Sequence, residues 1–122
     1  MTVVIKSKEV LAGTVAPSAL SEPALVVDIP DQPDEYIMEG YIDLSQMLTG
    51  DEVVIEEFLA VDGASRRALT KFKFSGSQDE PIIRFHSKTI KRDAKYQVQL
   101  TQTKGTLRKY PYYFIKLNFG VV

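Results

Sequence analysis

The 122 residues carry no cysteine and a single histidine, His86, which excludes disulfides, zinc–thiolate centres, thiol nucleophiles and any site built on two imidazoles. Hydrophobic residues at 44%, charged residues at 25% and a net charge of −1 are the proportions of one soluble globular domain, and a chain of this length buries enough surface to fold without covalent staples. No apolar run approaches the length of a membrane span, and Lys6, Lys8 and Glu9 interrupt any signal-peptide core, so the expectation is a cytoplasmic product with no membrane partner.

Residues 1–23 read as an N-terminal arm, or as a first strand plus a linker. Val3-Val4-Ile5 suits a strand, whereas Ala12 to Pro23 is rich in Ala, Ser, Gly and Pro and suits an extended segment ordered against a neighbour. From residue 24 onward the period is two. Residues 24–29 form a short β-rich run closed by Pro30 and Pro33. Residues 36–44 place Tyr36, Met38, Gly40, Ile42 and Leu44 on one face and Glu39 and Asp43 on the other, and Leu44 to Leu48 has room for one turn. In residues 52–61, Val53, Ile55, Leu59 and Val61 share a parity that Glu57 breaks, so a β-bulge at Glu56-Glu57 is expected.

Asp62-Gly63 is a hairpin signal leading into residues 66–74. A polar loop and Pro81 precede a short strand over 82–86. Residues 94–103 alternate most cleanly, with Tyr96, Val98 and Leu100 inward and Gln97, Gln99, Thr101 and Thr103 outward. Lys104-Gly105 marks a turn, and the final strand runs from Thr106 to Phe119. Pro111 within that strand, lacking an N–H, implies a sheet edge or a bulge. Seven or eight such strands predict an all-β antiparallel sandwich, Ig-like or jelly-roll in style, over residues 24–122.

The near-zero net charge hides an asymmetry. Residues 1–63 hold thirteen acids and two bases, a charge of −11, and residues 64–122 hold thirteen bases and three acids, a charge of +10. Either acidic and basic strands are neighbours inside one domain, where cross-strand pairs favour the arrangement modestly, or the two signs segregate onto faces through which copies associate.

Little in the chain suggests chemistry. His86 has no nucleophile and orienting carboxylate around it in sequence. Asp28, Asp31, Asp34 and Glu35 cluster in a proline-stiffened loop whose spacing matches no calcium loop, so they read as a solvated acidic loop rather than a metal site. Glu56 and Glu57, as strand neighbours, point to opposite faces. No phosphate-cradling glycine loop or nucleophile elbow is present, so neither an enzyme nor a cofactor is expected. The basic half holds Lys104, Arg108 and Lys109 beside Tyr110, Tyr112, Tyr113 and Phe114. That combination suits a small β-barrel gripping single-stranded nucleic acid, although the pI of about 5.8 disfavours a nucleic-acid partner. Tyrosines and arginines on an edge strand serve equally as anchors of a protein interface. A glycan-binding module shares the fold, but tryptophan, the usual stacking residue, is absent.

Two stretches carry a resemblance. Tyr41-Ile42-Asp43-Leu44-Ser45 with Gly50-Asp51-Glu52-Val53-Val54-Ile55 is one, and Tyr96-Gln97-Val98 through Leu100-Thr101-Gln102-Thr103-Lys104-Gly105-Thr106-Leu107-Arg108 with Pro111-Tyr112 is the other. Over residues 36–116 the chain resembles small all-β virion proteins of tailed viruses. The resemblance implies a non-enzymatic part of the virion, a capsid decoration protein or a tail-associated sandwich. It would be present in many copies, associating with itself and with the major capsid protein or other virion subunits through the arm and edge strands. Arg108, Tyr110 and Tyr112 on the last strand are the expected interface residues, with Asp28, Asp31 and Asp34 as their acidic counterpart. Removing residues 1–23 is then expected to abolish attachment while leaving the domain folded.

Overall fold

The period-two pattern becomes eight strands in a computed structural model that describes residues 2–121: β1 (Val3–Val15), β2 (Ala24–Ile29), β3 (Tyr36–Asp43), β4 (Glu52–Ala60), β5 (Arg67–Ser75), β6 (Ile82–Ile90), β7 (Lys95–Lys104) and β8 (Tyr110–Val121). They form two four-stranded sheets, β1-β8-β3-β6 and β2-β7-β4-β5. The pairs β1–β8, β2–β7, β3–β6 and β4–β5 are all antiparallel. The chain is therefore one long hairpin, turned at Asp62-Gly63 and wrapped into two layers by the β3–β8 and β4–β7 ladders. That topology is the jelly roll, which decides between the two sandwich styles.

The two layers close over one core that includes Met38, Ile42, Val53, Ile55, Phe85, Tyr96, Val98, Leu100 and Phe114. Each large side chain removed from water contributes roughly 1.5–3 kcal/mol. Gly40 lets β3 lie close against β8, because a Cβ there would run into the Phe114 ring and the Tyr113 carbonyl. The Gly63 turn, at a positive φ of 75°, is closed by Asp62 Oδ1, which accepts from the backbone N–H groups of Ala64 and Ser65.

Four expectations need correcting. Of the two readings of residues 1–23, the first strand plus a linker holds and the free arm does not: β1 pairs with β8 from Val3–Val121 to Val15–Tyr110, and Val15 belongs to the core. β8 is not an edge strand, since it lies between β1 and β3. Pro111 is accommodated because the β3 ladder ends at Ile42–Tyr112, so its missing N–H breaks no bond to β3. β6 continues to Ile90, past the end expected at residue 86. Finally, the register shift in β4–β5 falls between Glu57 and Phe58, with Leu69 as the extra residue, and Glu57 stays inward and buried.

The hairpin topology also explains the charge asymmetry. Its tip falls at the boundary between the acidic and basic halves, so both sheets alternate strands from the two halves. Every ion pair among the described residues joins an acid before residue 63 to a base after it: Glu9–Lys116 at 3.2 Å, Asp51–Arg108 at 2.9 Å, Glu52–Lys73 at 3.6 Å, Glu52–Lys104 at 3.7 Å and Glu57–Lys88 at 2.8 Å. The two signs interleave within the domain.

Candidate functional site

The six residues expected at an interface are not brought together. Arg108 is half-buried and structural. Its Nε donates to Asp51 Oδ2 at 2.9 Å, while the backbone N–H groups of Leu48 and Thr106 donate to the same carboxylate at 2.9 and 3.1 Å. Burial pushes the Asp51 carboxyl up, but these hydrogen bonds and the guanidinium outweigh it and hold the group below the ordinary carboxylate value. Asp51 thus ties the β3–β4 and β7–β8 connections at one end of the sandwich, and its backbone carbonyl, accepting from the Gly76 N–H at 2.8 Å, adds the β5–β6 connection. Tyr110 is fully buried, and its hydroxyl donates to Gln102 Oε1 at 2.7 Å, which puts it out of reach of any partner. Tyr112 points inward and packs against Phe114, with ring centroids 6.4 Å apart. Asp28, Asp31 and Asp34 are exposed, on β2 and the loop after it, and Gln97 Nε2 donates to Asp28 at 2.9 Å. The acidic group lies toward the Lys116 end of β8, because Lys116 Nζ donates to Gln32 Oε1 at 3.0 Å in the same loop. The tyrosines lie at the opposite end of that strand. Of the four aromatics in the basic-aromatic run, only Tyr113 faces outward.

Two buried polar clusters escaped the sequence reading. Glu57 is flanked by Lys88 and receives the Tyr96 hydroxyl. Burial first, and then the Glu57 charge, push the Tyr96 phenol well above its ordinary value. Beside this pair a mostly apolar cleft of about 260 Å³ opens between β5 and β6, lined by Leu69, Phe72, Phe85 and Ile90 among others. At the other end, Lys116 points inward, 2% exposed, and donates to Glu9 and Asn118 as well as Gln32. Neither cluster sets a nucleophile beside a base, and no group of three or more His, Asp or Glu able to hold a metal ion occurs among the described residues.

The outer faces of the two sheets differ in kind. On β2-β7-β4-β5 the central strand presents Gln97, Gln99, Thr101 and Thr103. Glu56 sits opposite Lys71, and the one aromatic, Phe58, is capped by Arg66 at 4.0 Å. With Leu25 and Val54 as its scattered aliphatic members, this is the mainly polar outer face expected of an antiparallel sheet in water. On β1-β8-β3-β6 the central strand presents Pro111, Tyr113, Ile115, Leu117, Phe119 and Val121. Its neighbours add Val3, Ile5 and Val10 on one side and Ile37 and Tyr41 on the other, with one charge on each flank, Lys8 beside Leu117 and Glu39 beside Ile115. Tyr41 stacks on Tyr113 at 5.7 Å and is still 44% exposed, while Val3, Ile5 and Val10 are 63%, 57% and 50% exposed. Contiguous apolar surface of this extent marks a binding face. Counting parity through β8 would have found it. Tyr110, Tyr112 and Phe114 inward require Lys116 inward, and therefore Ile115, Leu117 and Phe119 outward.

The molecule is thus an eight-stranded jelly roll with one polar and one apolar outer face. No family model matches its sequence, and no curated protein matches it. Among solved structures it is similar to a chain in the structure of infectious bursal disease virus Gt strain, over 96% of this chain and 33% of that one, with a TM-score of 0.50 and 9% identity. A chain of the Gx strain gives a TM-score of 0.50 and 8% identity over 92% of this chain and 32% of that one. The chain spans about a third of the length of both viral chains, and at such identities the likeness is one of fold. Both neighbours come from one virus, and the likeness lends no support to tailed viruses in particular.

Proposed function

We propose that the chain is a non-enzymatic structural subunit of a virus particle. In this reading it decorates or cements a capsid, binding the major capsid protein or other virion subunits, and it resides in the virion. The observation that carries the reading is the uncovered apolar face of β1-β8-β3-β6, on a fold similar over nearly its whole length to part of a viral chain. A particle subunit must hold its neighbours by surface complementarity, and an outward column of six apolar residues on a central strand serves that need and no purpose in water. The interface expected on Arg108, Tyr110 and Tyr112 moves accordingly to the opposite side of β8, onto Tyr113, Ile115 and Leu117. Peptide mass spectrometry and immunogold labelling of virus particles from the culture that makes the chain should find it in many copies at a fixed ratio to the capsid protein. Particles free of the chain, beside a lysate rich in it, would refute the proposal.

A further inference from the structure

We propose that the apolar outer face of β1-β8-β3-β6 is covered by the same face of a second copy, the two sheets stacking about a two-fold axis that runs along β8. The proposal deepens the subunit reading by naming the neighbour, and it rests on three observations.

The first is the inversion within β8. Past Phe114, its inward positions are Lys116 and Asn118 and its outward ones Ile115, Leu117 and Phe119. In an isolated sandwich this half of the strand is inside out. With a second sheet stacked on it, the outward residues form the middle of a dry layer, as in any packing of aligned sheets about 10 Å apart.

The second is area. Stacked about an axis along β8, three strands of each copy (β1, β8 and β3) overlap; spaced about 4.8 Å apart along some ten residues, they cover about 500 Å² per copy, so two copies bury about 1,000 Å², the threshold a specific interface must reach.

The third is charge. Lys8 stands beside Leu117 on the β1 flank of β8, and Glu39 stands beside Ile115 on the β3 flank. Neither forms an ion pair or a side-chain hydrogen bond among the described residues. A two-fold axis along β8 exchanges the flanks, which carries each Lys8 to the partner's Glu39 flank, offset by two residues (about 7 Å) along the strand, a gap that the two long side chains can span. An acid and a base on opposite flanks of an apolar column make the face complementary to itself, and a closed two-fold pair uses that property twice.

The test is the solution mass of the whole chain by analytical ultracentrifugation. The expected result is a dimer, twice 13.7 kDa, at micromolar concentration. Ile115→Lys should give a monomer with an unchanged circular-dichroism spectrum. Should that variant fail to fold, the charge variants decide. Lys8→Glu and Glu39→Lys alone each oppose like charges twice and should weaken the dimer about tenfold or more, and the two together should restore it. A monomeric parent chain overturns the proposal, as does a dimer whose affinity none of the charge variants changes. A dimer in solution whose chain is missing from virus particles would instead refute the subunit reading and leave this interface standing.

Discussion

Buried polar groups are where single residues decide most. Glu57 and Lys88 form an ion pair whose side chains are 4% and 18% exposed. Removing one member of such a pair leaves the other charge uncompensated, so Lys88→Met should cost about 3 kcal/mol, read as a lower denaturation midpoint. Tyr36 gives the opposite case. Its hydroxyl is buried without a hydrogen-bond partner among the described residues, so Tyr36→Phe should be neutral or stabilising in the same experiment. A loss above about 1 kcal/mol would show that the hydroxyl is satisfied after all. Burial also sets the alkaline limit. It pushes the phenols of Tyr36 and Tyr96 up, and that of Tyr110 up to about 12. A phenol that holds its proton more tightly when folded stabilises the fold at every pH below its ordinary value of 10.0, and that contribution is lost as pH rises through the raised value. Three of the six tyrosines should therefore ionise only together with unfolding, giving a phenolate absorbance step that coincides with loss of the β-sheet signal. All six titrating in a folded chain would contradict this.

Elements differ in how openly the sequence declares them. β7 was legible throughout, because a central strand with one polar outer face alternates strictly. β2, β3 and β4 were legible to within one residue at their ends. β8 was not, because its outward column is apolar and its inward end carries Lys116, so hydropathy assigns its faces the wrong way round. β1 was partly hidden for a related reason: Lys6, Lys8 and Glu9 interrupt its apolar residues, and its strand character comes from pairing with a segment about a hundred residues away. Its removal therefore has a different outcome from that of a detachable arm. Deleting residues 1–23 takes Val15 out of the core, opens one whole side of β8 and strips the buried Lys116 of Glu9. The truncated chain should be unfolded or several kcal/mol less stable by thermal melting. A melt indistinguishable from that of the parent would refute this placement of β1.

At the scale of the whole molecule, the period of two made all-β structure plain and the distribution of charge along the chain made the asymmetry visible, but strand order was beyond both. Nothing in either half says which strand of the other it will pair with, and the jelly roll emerges only when a single hairpin wraps on itself. The same wrapping has a temporal side. Each of the six ladders joins a strand before Gly63 to a strand after it. During synthesis, residues 1–63 thus emerge before any strand that can pair with them, and the β1–β8 ladder is completed last of all. Non-local pairing of this kind folds slowly and exposes unpaired strand edges on the way. The charge of −11 on this waiting segment makes copies of the nascent chain repel one another until the basic half arrives to neutralise it.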